Sequence, residues 1–391
     1  MTPTITYTLG ALAVAGAFTA TAFSGAKRVE SVEHVATLRS ARAAHTATTL
    51  PSGHVLIVGG MAAGGASLST VELFDPSDHS VAQLASLAEP RAGHTATLLP
   101  GGRVLVTGGY NGKYLRSVEV FDPARRRFVA AGLLAEGRSG HTATLLPNGR
   151  ILLTGGVGPG WTFLRGAEVY DPTTGRSESV GAMSVPRESH TATLVADGRV
   201  AVIGGHTGRR QSMEVYASVE IFSPQTGRFE AAGTLTTPRH KHDAIRLADG
   251  RVLVIGGADR SDRVHFATTE IYDPRTGAIE PGPRMASRRY KIAGTSVLLP
   301  GGQVLITSGA RAAELFDPGT GAFREVPGRF PAAYRFAAAA LLHDGDVVIA
   351  GGYSDTNENT ADVWRFRRFD RCARWHLFVS VGPACINDSG W

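Results

Sequence analysis

Uninterrupted apolar runs of about four residues recur along this chain, and most of them end in Gly-Gly. "HVLIVGG" closes at Gly60, "RVLVTGG" at Gly109, "RILLTGG" at Gly156, "RVAVIGG" at Gly205 and "RVLVIGG" at Gly257. Another pair stands at Gly351-Gly352, with a degenerate Ser308-Gly309 before it. Runs this short and continuous predict strands buried on both faces. The glycines mark places where the backbone turns or approaches a neighbour closely. Upstream of each run lies a stretch of small and β-prone residues such as "HTATLL". It joins the run through Pro-Gly-Gly, Pro-Asn-Gly or Ala-Asp-Gly, turns that supply the positive φ of a tight hairpin. Downstream comes "VELFDP" (71–76), with relatives at 118–123, 167–172, 219–224, 269–274, 313–318 and, divergently, 361–366. Hairpin loops such as "DPTTGRS" and "SPQTGRF" then lead to a fourth strand.

The unit therefore occurs seven times, at a mean spacing of about 49 residues. Each copy reads as four strands, a to d. Strand a is small and suits the crowded inner end. Strand c carries Phe74, Phe121, Tyr170, Phe222, Tyr272 and Phe316, large residues for the outer end where blades diverge. Four antiparallel strands repeated radially predict an all-β fold, a seven-bladed β-propeller. The segment "SVEHVATLRSARAAH" ahead of the first unit matches the strand-d slot, and the last unit ends near strand c. The ring is expected to close by pairing the N-terminal strand with the last blade, leaving no free edge.

Polar residues also repeat. Arg42, Arg91, Arg138, Arg187 and Arg239 precede strand a, with Lys291 assigned to that slot in the sixth unit. His45, His94, His141, His190 and His242 follow three residues later, with Gly294 assigned to the sixth. An acidic residue opens every strand c: Glu72, Glu119, Glu168, Glu220, Glu270, Glu314 and Asp362. A residue that every blade carries answers a need of every blade. Arg and Glu are expected to meet as buried, charge-assisted pairs. The histidines are expected to fill the narrow inner end, because five separate blades cannot bring ligands to one ion at about 2 Å.

The glycine doublets, the Arg-x-x-His strand, the spaced Glu and aromatic, and the period resemble kelch repeats of the bacterial type, over roughly residues 29 to 370. That resemblance implies blades with the architecture of the galactose oxidase central domain. Galactose oxidase would further imply copper held by Tyr and His, with a Tyr crosslinked to a Cys. This chain has no Tyr-His dipeptide, and neither cysteine lies in an early blade. No metal or other cofactor is expected. No Gly-x-Ser-x-Gly, phosphate loop or His-Glu-x-x-His is present.

Composition narrows the rest. The chain has 391 residues and a net charge of +6 with no basic block, so a nucleic-acid partner is not expected. Leu9 to Ala26 is uncharged and rich in small residues, ending in Ser24-Gly25-Ala26. It reads as a cleaved export signal over 1–26, followed by a secreted or periplasmic propeller over 27–370, expected to be monomeric and without a membrane span. A tail over 371–391 holds Cys372 and Cys385, which an exported chain would join as a disulfide.

Function is expected where the repeats disagree. The loop between strands b and c has three residues in the sixth unit and thirteen in the fourth, which makes a lopsided rim. The notch beside the sixth unit is expected to be lined by Arg209, Arg210, His240, Lys241, Arg260, Arg263, His265, Arg288, Arg289 and Tyr290, with Tyr110, Tyr114 and Trp161 on the opposite rim. Clustered Arg with aromatics suits a partner protein or an acidic glycan, hence a binding module without chemistry. The alternative is a carbohydrate-active kelch enzyme such as a sugar-acid mutarotase, with an acid and a base drawn from Glu214, Asp259, Asp262 and His265.

Overall fold

The apolar runs are strand b of each blade. Val55–Val58, Val200–Ile203 and Val252–Ile255 are without exposure along their whole length. In this computed structural model, which describes residues 30–368, each run is the second strand of a four-stranded antiparallel sheet, and there are seven such sheets. Blade 4 shows the order: strand a Thr191–Leu194, b Val200–Ile203, c Ser218–Ser223 and d Arg228–Thr234. Blades 1, 2, 3, 5 and 6 span 46–84, 95–133, 142–179, 243–281 and 296–325. In blade 7 the outermost strand is Ser31–Thr37 from the start of the propeller, paired with Asp362–Arg367. The expected closure is observed, and it leaves no strand edge at the join.

The core lies between the sheets. Seven apolar clusters each join two neighbouring blades. Leu56 and Val58 of blade 1, for example, pack on Val104, Val106 and Phe121 of blade 2. Each such side chain contributes about 1.5–3 kcal/mol on leaving water. At the outer end Phe121, Phe222 and Phe316 meet Phe128, Phe229 and Phe323 of strand d at 5.0–5.2 Å.

The shared Arg and Glu pair within each blade that carries the Arg. Arg91–Glu119, Arg138–Glu168, Arg187–Glu220 and Arg239–Glu270 lie at 2.5–2.8 Å, and Arg42 pairs with Glu72 likewise. The same guanidinium donates to the carbonyl of the first doublet glycine, as Arg187 does to Gly204 at 2.7 Å. The second carboxylate oxygen accepts a backbone N–H from the d–a connection, as Glu119 does from Ala88 at 2.9 Å. Each pair thus ties three segments of a blade at a site with no water to replace it.

The sixth blade corrects the assignment made from sequence. Arg289, not Lys291, occupies the shared slot. It is fully buried and bonded to Glu314 at 2.8 Å and to the Ser308 carbonyl. Ile292, not Gly294, stands where the histidine does elsewhere, packed against Gly309 as His190 packs against Gly205. The connection into strand a is two residues longer, so counting back from the hairpin placed the template out of step. In blade 7 Tyr334 takes the Arg slot and reaches Asp362 through its hydroxyl at 3.3 Å.

The proposed signal segment (1–26), the tail and the Cys372–Cys385 bridge lie outside the described residues. Among those described, no helix is long and apolar enough to cross a membrane.

Candidate functional site

Each shared Arg is followed by two residues that differ from blade to blade. The second of them has positive φ in every blade: Ala44, Gly93, Gly140, Ser189, Lys241, Lys291 and Phe336, at 49–64°. In six of the seven its N–H donates to the carbonyl of its counterpart in the preceding blade, as in Gly93 to Ala44, Lys291 to Lys241 and Phe336 to Lys291. Ala44 returns to Phe336. These bonds ring the channel mouth. The first of the two residues pairs with the residue after the glycine doublet: Ala43 with Met61, Ala92 with Tyr110, Ser139 with Val157, Glu188 with His206, His240 with Ala258 and Arg335 with Tyr353.

Reading those pairs around the ring exposes an asymmetry. Blades 1 to 3 contribute small or neutral side chains. From Glu188 onward the same slots hold Glu188, His206, His240, Lys241, Tyr290, Lys291, Arg335 and Tyr353. The charged and imidazole side chains of these slots are confined to blades 4 to 7.

A continuous polar chain runs along that side. Glu188 Oε2 stands 3.5 Å from His206 Nε2, and His206 Nδ1 meets His240 Nδ1 at 3.1 Å. His240 Nε2 reaches Asp262 Oδ1 at 3.2 Å and the Asp259 carbonyl at 3.1 Å. Lys241 donates to Asp262 Oδ2 at 2.5 Å. One proton arrangement, assigned from the network, fits these distances: protonated Glu188 faces His206, His206 donates to His240, and His240 donates to the Asp259 carbonyl with Asp262 beside it. The electrostatics agree. Burial pushes the Glu188 carboxyl up, against the pull of Lys241 and Arg209. Burial, then His240 and Lys241, lowers His206 to about 3. Burial opposes ionisation of Asp262, but the bonds from His240 and Lys241 outweigh it and hold the carboxylate well below its usual range.

Beside this chain His265 stacks on Tyr290 at 3.5 Å, and Arg335 covers the same tyrosine ring at 4.7 Å while pairing with Asp355. Lys291 donates to the Tyr353 hydroxyl at 2.6 Å. Toward blade 3, Tyr110, Tyr114 and Trp161 pack together at 5.0–6.1 Å, and the Arg209 guanidinium lies 3.6 Å over the Trp161 ring. These four residues and Glu188 line a cleft of about 200 Å³.

The structure sorts the expected residues. His240, Lys241, His265 and Tyr290 do gather at the mouth. Arg289 does not belong there, because it is buried in its pair with Glu314. Arg209 is not opposite the aromatic trio, because the hairpin from His206–Thr207 to Glu214–Val215 carries it onto Trp161. Arg210, Arg260, Arg263 and Arg288 are exposed on the rim and make no side-chain hydrogen bond or ion pair among the described residues. Asp259 shapes its own turn through Ser261 and Val264. The short sixth loop does leave a notch, of about 410 Å³, but it opens toward blade 7 and is lined by Arg311, Tyr334, Asp355, Glu358 and Asn359. Sequence reasoning missed Glu188, His206, Lys291, Arg335 and Tyr353. The signal for Glu188, Lys291 and Arg335 was available in the two residues after the shared Arg slot, where blades 1 to 3 have only Ala, Gly or Ser; His206 and Tyr353 follow the glycine doublets, where Met61, Tyr110 and Val157 set no such contrast.

Comparison with known proteins adds the following. The kelch motif family matches residues 90–130. No curated protein matches the sequence. Among solved structures, a fungal alcohol oxidase of the AA5 family in complex with copper matches with a TM-score of 0.68 and 16% identity, over 86% of this chain and 75% of that one. At that identity the likeness concerns the fold. Among the described residues no three His, Cys, Asp or Glu side chains converge on a metal position. Both ring nitrogens of His240 are already engaged, by His206 on one side and by Asp262 and the Asp259 carbonyl on the other.

Proposed function

Because this chain is a kelch β-propeller of the galactose oxidase type, we propose that it works as an interaction module whose channel mouth, over blades 3 to 7, holds an acidic glycan. The one-sided placement of charge around the mouth carries this reading. A scaffold that needs nothing from these slots fills three of them with Ala or Ser, and the remaining four depart together. Arg335 presents a cationic group, with Arg209 and the exposed Arg260, Arg263 and Arg288 on the rim. Trp161, half exposed at 52%, and Tyr110 offer ring faces of the kind sugars pack against. An anionic sugar ligand uses both features, cation and platform, at once. We place the module outside the cytoplasm on the strength of residues 9–26, which N-terminal sequencing of the mature chain tests.

Calorimetry with uronic-acid oligosaccharides and their neutral counterparts tests the ligand class. The acidic series should bind, weaken with added salt, and lose at least about tenfold in affinity in the Arg335→Gln and Trp161→Ala variants. Equal binding of neutral and acidic sugars, or capture only by an acidic peptide, overturns the reading.

A further inference from the structure

Of the chain's forty Lys and Arg residues, four are Lys: Lys27, Lys113, Lys241 and Lys291. Two of those four occupy neighbouring slots in the backbone ring at the channel mouth, and their surroundings differ. Lys241 Nζ is engaged by the Asp262 carboxylate at 2.5 Å. Lys291 Nζ makes no ion pair among the described residues. Its acceptor is the phenol oxygen of Tyr353 at 2.6 Å, and the rings of Tyr290, Tyr353 and Phe336 surround it with centroids at 5.2–5.6 Å. An amine in such a cage can be neutral, in which case the same short contact runs the other way, from the phenol O–H to the nitrogen lone pair.

We propose that the mouth carries a reactive amine: Lys291, held against Tyr353, condenses with the carbonyl group of a small aldehyde or keto compound, the open-chain form of a sugar acid being the class that fits. The lone pair of the neutral amine attacks the carbonyl carbon. A C–N bond forms as the C=O π bond opens, and a proton passes from the attacking nitrogen to the oxygen to give the neutral carbinolamine. Its hydroxyl then leaves as water with the proton that Tyr353 donates, and the nitrogen lone pair forms the C=N bond of the iminium. The iminium N–H returns its proton to the Tyr353 phenolate, so one amine and one carbonyl give one imine and one water, with no oxidant or reductant.

The groups facing Lys291 favour this. Burial between the rings lowers its pKa from the ordinary lysine value; Asp262 works against burial and Arg335 works with it. Burial raises the Tyr353 hydroxyl, against Arg335 and Lys241, so it keeps its proton near neutrality. His265 and Tyr290 close the side toward blade 5, stacked on each other. Arg335, over Tyr290, stands where a carboxylate of the substrate would find a partner.

The carbonyl chemistry stands apart from the glycan reading; only the acid in the substrate class rests on it. The test separates the two. The full chain is incubated with glycolaldehyde or with glyoxylate and cyanoborohydride at pH 7, and alkylation is mapped by peptide mass spectrometry at the four lysines. Lys291 should react at least about tenfold faster than exposed Lys113, and Lys241 should not. Tyr353→Phe should slow Lys291 without changing Lys113, and Lys291→Arg should leave only the background. The wild-type comparison needs no variant to fold. Lys291 reacting no faster than Lys113 with either aldehyde overturns the proposal. Fast reaction at Lys291 with no preference for glyoxylate supports the amine and overturns the acidic substrate class.

Discussion

Arg187 and Glu188 are neighbours in the chain and belong to different regions of the molecule. Arg187 is one of six near-identical guanidinium sites, buried, bonded to Glu220 and to the Gly204 carbonyl. Glu188 fills a slot that is Ala43, Ala92 or Ser139 in the first three blades, and it starts the polar chain of the mouth. The contrast has a physical origin. Neighbouring blades meet in nearly the same way seven times, so the residues that join them repeat. A ligand at the channel end meets the ring once and from one side, so the residues that meet it break the repeat.

Acid should separate the two regions most strongly. His45, His94 and His190 are buried in the frame with pKa values near 3, burial being the largest cause, and His141 and His242 are lowered in the same way. A depressed histidine favours folding while neutral. Its contribution is complete above the unfolded value of about 6.5 and is lost as pH falls from there toward the folded value. Each histidine then withdraws about 1.4 kcal/mol per pH unit, and five together withdraw several. Denaturant unfolding between pH 6 and pH 5, above the carboxylate range, should show uptake of close to five protons by the frame and about one more by His206 of the mouth. His190→Asn should reduce that uptake by one, and an unchanged uptake would sink the assignment.

Replacing one carboxyl in each region by an amide gives the next largest difference. Glu119→Gln leaves Arg91 buried beside a neutral partner and should cost about 3–5 kcal/mol. Glu188→Gln should cost under about 1 kcal/mol, since that carboxyl is held toward its neutral form. Matched thermal melts decide it: equal losses would mean that Glu188 is frame and not site.

The frame was legible in the sequence because repetition reports on packing. Seven copies placed the strands, the ring closure and the Arg–Glu pairing without a structure. The same habit of matching copies misled at blade 6. Two extra residues between Arg289 and strand a shifted the template, so a frame residue was counted as site and Lys291 was counted as frame. The lopsided rim was legible in the loop lengths, but its lining was not. Loop length says that a notch exists, whereas the path of each loop decides which side chains enter it. The hairpin that turns Arg209 onto Trp161 has no counterpart in blades 1 and 2.

A methyl group placed in each region offers a finer comparison. In Gly155→Ala the new Cβ lies 2.3 Å from the Arg187 carbonyl and 2.7 Å from His190 Cε1, at φ +59. Neither neighbour can retreat, since both belong to the frame of the next blade, and the loss should reach several kcal/mol. In Gly64→Ala, in the first b–c loop at φ +80, nothing lies within 4 Å. That substitution should cost only the backbone term, about 1 kcal/mol. Similar losses at the two glycines would show that the b–c loop of blade 1 is packed like the frame.

The smallest effect lies at the edge of the mouth. Arg209 is exposed and holds the Trp161 face at 3.6 Å, a contact of about 0.5–1 kcal/mol at a surface position. Arg209→Ala should therefore leave the melting temperature nearly unchanged. If the aromatic cleft and the cationic mouth act on one ligand, the same variant should weaken binding of an acidic oligosaccharide by several-fold, because it removes a charge and frees the ring it covers. The neutral control separates those two roles. A neutral sugar that binds better once the ring is uncovered would make Arg209 a lid on Trp161, whereas a loss confined to the acidic sugar would make it a ligand-contacting charge, part of the same one-sided mouth as Lys291 and Arg335.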